Sequence, residues 1–160
     1  MTSSTITETL NGERSYPPRR VWIGLSIALF GFLVFLLGAR PALFGLDRSP
    51  VIGFVQIAVF LVGLAVICLG GYISLRSIWK EDELSIPAEI GMRLVATGYV
   101  IAVFAGMADI FGMGSHPLPG YPYFGPWQAR GVEMGQLLIG VGFVMLLPFK
   151  KIERTPNKIK

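Results

Sequence analysis

Four long apolar blocks decide what this chain can become. They run over about Val21–Gly38, Val51–Leu75, Leu94–Met113 and Gln128–Phe149, with Pro87 as an alternative start for the third. A helix crossing the roughly 30 Å hydrocarbon core of a bilayer needs about 20 mostly apolar residues. Each block approaches or exceeds that length. The second is the longest, about 37 Å as a helix, and can cross with tilt. Strands of a membrane barrel would instead alternate polar and apolar residues in segments of about ten. Inside lipid each backbone group must find its partner within the chain, so continuous apolar blocks of this length are expected to be helical. The expected fold is all-α: an integral membrane bundle of four transmembrane helices, with a proline- and aromatic-rich outer loop between helices 3 and 4.

The rest of the chain leaves little room for a second domain. Of 160 residues 15% are charged, against about 25% in soluble domains. Residues 1–18 are polar, lack helical periodicity and are expected to be a disordered cytoplasmic tail. Residues 19–150 form the transmembrane domain, and 151–160 a basic tail. The sequence Pro18-Arg19-Arg20-Val21-Trp22 faintly resembles a twin-arginine signal. Three further blocks and an apolar run longer than a signal's core favour a retained helix.

Lysine and arginine placement gives an orientation. Arg14, Arg19 and Arg20 precede the first block. Arg76, Lys80 and Arg93 lie between the second and third. Lys150, Lys151, Arg154, Lys158 and Lys160 follow the fourth. Only Arg40, Arg48 and Arg130 of the 14 basic residues lie in or next to the other two connectors. The positive-inside rule then predicts both termini in the cytoplasm of a plasma (inner) membrane. The net charge of +4 reads as topology signal and contact with anionic inner-leaflet lipid through the C-terminal tail, not as a nucleic-acid surface. The pattern resembles that of many small four-span bacterial membrane proteins, a likeness of architecture that carries no function.

Small residues recur at helical spacing: Gly24, Ala28 and Gly31; Gly98, Ala102 and Gly106; Gly131, Gly135 and Gly140. Such faces let backbones approach in lipid. They serve either packing within the bundle or contact with a second subunit.

The polar residues inside the blocks are few and one-sided. Gln56, Asp109, Glu133 and Gln136 all fall in the expected outer half, while the inner half has only hydroxyls such as Ser26, Ser74 and Thr97. Asp109 is expected in the last turn of its helix, where the dipole disfavours a carboxylate. It needs a partner, and Arg130 and His116 are nearest along the chain. A structural Asp109–Arg130 clamp and a ligand, proton or ion site are both open. Arg130 and Glu133, three apart, can pair with one another, as can Glu89 and Arg93, four apart.

The loop HPLPGYPYFGPWQAR, residues 116–130, holds four prolines and four aromatics. Pro117, Pro119, Pro122 and Pro126 disfavour regular helix. Tyr121, Tyr123, Phe124 and Trp127 suit the headgroup level. The segment is expected to form a stiff cap over the outer end, either as an interfacial belt or as a lid over a ligand. Candidate ligand-binding residues are therefore Asp109, His116, Tyr121, Tyr123, Trp127, Arg130, Glu133 and Gln136.

Catalytic motifs are missing. There is no nucleophile elbow, P-loop, dinucleotide fingerprint or HExxH. One histidine and one cysteine, Cys68, exclude bis-histidine haem, an internal disulfide and a cysteine zinc site. No metal site and no cofactor is identifiable. The acidic run Glu81-Asp82-Glu83 reads as a solvated loop. The leading expectation is a non-catalytic accessory or scaffold subunit of a larger membrane complex, with protein subunits as partners. The alternatives are a small carrier or channel using Asp109, Glu133 and Gln136, and a lipid- or quinone-binding membrane protein.

Overall fold

The computed structural model describes residues 18–45, 53–79, 84–113 and 124–148. Four long helices carry these residues: α1 (Pro18–Ala39), α2 (Phe54–Ile78), α3 (Ile86–Gly106) and α4 (Pro126–Met145). A short 3-10 turn, Pro41–Phe44, follows α1. No strand occurs among the described residues. Three helices, α1, α2 and α3, are long and apolar enough to cross a membrane. The fourth is interrupted by Gln128, Arg130, Glu133 and Gln136 and does not reach the same measure.

Local chemistry sets the boundaries. The α3 helix begins at Ile86, close to the alternative start at Pro87, because Ser85 caps it. The Ser85 hydroxyl accepts from the Ala88 N–H at 3.4 Å, Pro87 sits in the first turn, and Glu89 favours the positive end of the dipole. Glu89 and Arg93 both stay exposed and make no ion pair. At its other end α3 stops at Gly106, earlier than Met113. The chain continues through turns and closes in a Schellman arrangement. Gly112, in the left-handed region at φ 73°, donates to the Asp109 carbonyl at 3.2 Å, and Met113 donates to that of Ala108 at 2.9 Å. Only glycine takes that φ without cost. The α4 helix starts two residues before the expected Gln128. Pro126 occupies its first position, where a missing N–H is harmless, and the Gln128 side-chain oxygen accepts from the Gly125 N–H at 2.7 Å. Pro126 and Trp127 thus belong to the helix, not to the loop.

The helices pair as two antiparallel hairpins, α1 with α2 and α3 with α4. Glycines seven residues apart line both seams. In the first, Gly24 meets Gly70 and Ser74, Gly31 meets Val66 and Ile67, and Gly38 and Gly63 lie against the backbones of Phe60 and Phe35. In the second, Gly91 opposes Gly142, Gly98 opposes Gly135, and Gly131 lies against Ala105. Seven residues is close to two helical turns, so these glycines form one stripe. Apolar burial does little between helices in lipid, and close backbone contact through small residues replaces it. Gly140, grouped by spacing with Gly131 and Gly135, is exposed with nothing near it. The working stripe of α4 is Gly135–Gly142.

A narrower seam joins the hairpins, and it runs through α2. Leu61 and Leu64 of α2 meet Val95 and Ala102 of α3 and Ile139 of α4, with Leu146 beyond the end of α4, in one buried cluster. Gly71 packs under the Phe143 ring. At one end the Trp79 indole N–H donates to the Leu146 carbonyl at 2.8 Å. Helix α1 packs on α2 alone and does not reach α3 or α4. That leaves a gap between α1 and α4 at the end opposite Trp79.

Candidate functional site

The gap is a cleft of about 500 Å³. Its polar lining comes from three helices. Arg40 follows the last turn of α1, its N–H still bonded to the Leu36 carbonyl at 2.8 Å. The chain then turns through Pro41–Phe44 and ends that turn on Gly45 at φ 66°. Gln56 lies in the first turn of α2. Glu133 and Gln136 come from one face of α4. The close contact of Gly38 with Phe60 sets Arg40 and Gln56 at one level. Phe35 and Phe60, whose ring centroids are 4.7 Å apart, and Phe124 give the cleft its aromatic wall.

The electrostatics are mixed. Arg40 and Glu133 are both exposed and line the same space, yet they make no ion pair with each other. Separated opposite charges and two carboxamides in one cleft can take up a group that itself carries separated charges or several hydrogen-bonding atoms. Among the described residues no nucleophile–base pair lines it.

The residues singled out from sequence divide into three groups. Glu133 and Gln136 line the cleft, as does Gln56. Asp109 does not. It is 7% exposed and sits in the turns after α3, and its Oδ1 accepts no hydrogen bond. The Asp109–Arg130 clamp is not formed. The Arg130 guanidinium lies 5.3 Å from the ring centre of Trp127, a cation–π contact at helical i, i+3 spacing. The reason is local: the aromatic partner lies on its own helix face, whereas Asp109 is buried behind the end of α3. The Arg130–Glu133 pair is likewise not made. His116, Tyr121 and Tyr123 lie outside the described residues, as do both tails and the acidic run.

Arg40 is the cleft-lining residue that sequence reasoning passed over. It served only as a mark of topology, although it is a cation at the end of an apolar block. The signal that could have found it is its level: it and Gln56 flank one connector and meet Glu133 only when α1 and α4 face each other.

No family model, no curated protein and no solved structure matches this chain.

Proposed function

We propose that this chain is a four-span membrane protein, with α4 as its fourth span and both termini cytoplasmic, that binds a small amphiphile in the outer half of the bilayer. The cleft between α1 and α4 carries this reading. It combines an aromatic wall with Arg40, Gln56, Glu133 and Gln136 in one space. The eleven-to-three distribution of basic residues supports the orientation.

Two other readings draw less support. Subunit contact through small-residue faces loses its surface, because Gly24, Gly31, Gly98 and Gly135 are spent within the hairpins. Passage of an ion or solute needs polar groups towards the Trp79 end. There, the Thr97 hydroxyl bonds the Arg93 carbonyl of its own helix at 2.9 Å and offers no continuation of the cleft.

Photo-crosslinking in native membranes tests the proposal. A crosslinker at Gln136 should capture an adduct of lipid size more efficiently than one at Phe104, on the exposed face of α3. Equal capture at both positions, or adducts of protein mass alone at Gln136, would sink the reading; the latter would revive the accessory subunit.

A further inference from the structure

The cleft does not end at Glu133 and Gln136. Both residues also open a shallow groove of about 800 Å³ along α4, continued by Leu137, Gly140, Val141 and Val144. These positions recur at three and four residues and share one helix face. Gly140 leaves this face open at its middle, since a Cβ there would meet nothing within 4 Å. From Glu133 to Val144 the helix rises about 17 Å, close to one leaflet of a roughly 30 Å hydrocarbon core. The polar cleft and this apolar face of α4 thus share Glu133 and Gln136.

Resting on the reading that the cleft holds an amphiphile, we propose that its occupant is an aminophospholipid, a phosphodiester bearing a primary ammonium and acyl chains. The Arg40 guanidinium takes the phosphate, where its fork of N–H donors matches the oxygens. The Glu133 carboxylate takes the ammonium, with the carboxamide oxygens of Gln136 and Gln56 for its remaining N–H donors. One acyl chain lies along Leu137, Gly140 and Val144. An anionic lipid without the ammonium leaves Glu133 facing a phosphate. A quaternary ammonium has no N–H to give to the three acceptors.

The full chain in nanodiscs containing equal amounts of phosphatidylethanolamine, phosphatidylcholine and phosphatidylglycerol provides the test, with bound lipid read by native mass spectrometry after release into mild detergent. Phosphatidylethanolamine should be retained one per chain, about tenfold over either competitor. Glu133→Gln should remove that preference while leaving phosphatidylglycerol retention unchanged or higher. Arg40→Gln should lower retention of all three lipids. Arg130→Gln, a cation at the same end that lies outside the cleft, should change nothing. Retention of one lipid that depends on Arg40 but is insensitive to Glu133→Gln overturns the aminophospholipid and leaves the amphiphile cleft standing. Retention indifferent to both substitutions, or none at all, overturns both.

Discussion

Gly98 and Gly135 face each other so closely that a Cβ on Gly98 would lie 2.6 Å from the Gly135 carbonyl oxygen, and one on Gly135 would lie 2.5 Å from that of Gly98. The obstacle on both sides is backbone, which cannot turn away as a side chain can. Any larger residue must therefore push α3 and α4 apart. Gly98→Ala and Gly135→Ala are each expected to destabilise by about 1–3 kcal/mol, the usual cost of overpacking, despite alanine's better helix propensity. Thermal unfolding in detergent checks this. The double substitution should cost less than the sum, since one separation relieves both clashes. Unchanged melting temperatures would mean that the two helices are not in this contact.

The helices and most of their ends were legible from the sequence, because length and apolarity in Val51–Leu75 leave one solution in lipid. Gly98, Ala102 and Gly106 were correctly grouped, since all three are buried. The seven-residue stripe was caught in Gly24 and Gly31 and missed in α4. There Gly140 was grouped with Gly131 and Gly135 in place of Gly142, although an antiparallel pair of helices repeats its close contacts about every two turns. Pairing into two hairpins, with α1 held off α4, depends on contacts between distant segments that no local pattern reports.

For the site, Gln56, Glu133 and Gln136 were singled out from the sequence, and their shared cleft was not legible there. Asp109 was misjudged for a physical reason. Nearness along the chain to Arg130 suggested a pair, but α3 ends at Gly106, Asp109 lies in the turns that follow, and the Arg130 guanidinium lies against the Trp127 ring.

Asp109 and Arg130 should behave independently. With no contact between them, a double-mutant cycle of Asp109→Asn and Arg130→Gln is expected to give a coupling energy within about 0.5 kcal/mol of zero. Asp109→Asn alone should hold or raise thermal stability, because it removes a carboxylate whose buried Oδ1 has no hydrogen-bond donor. A marked loss in both single variants, with none added by the double, would restore the clamp.

Trp79 ties the two hairpins at their other end. Its indole N–H satisfies the Leu146 carbonyl, one of the acceptors that the end of α4 leaves without a helical partner. Trp79→Phe keeps most of the ring and removes the donor. The expected loss is about 1 kcal/mol, with faster hydrogen exchange confined to the last turn of α4. Exchange that quickens equally in α1 would show that the effect is global unfolding and not loss of this tether.

Gly140 separates binding from folding. It lies on the exposed side of α4, away from the Gly135–Gly142 stripe, and has open space where a side chain would go. Gly140→Leu should leave the melting temperature unchanged or raise it, since glycine within a helix is about 1 kcal/mol worse than alanine and no neighbour is displaced. The same leucine fills the groove shared with Glu133 and Gln136 and should reduce retained lipid severalfold without touching either polar residue. Gly142→Leu is the counterpart. It stands two residues away but faces Gly91, where a Cβ would lie 2.6 Å from the carbonyl oxygen, so it should unfold the second hairpin. A Gly140→Leu protein that is stable and still holds its lipid would show that the acyl chain lies elsewhere than along this face of α4.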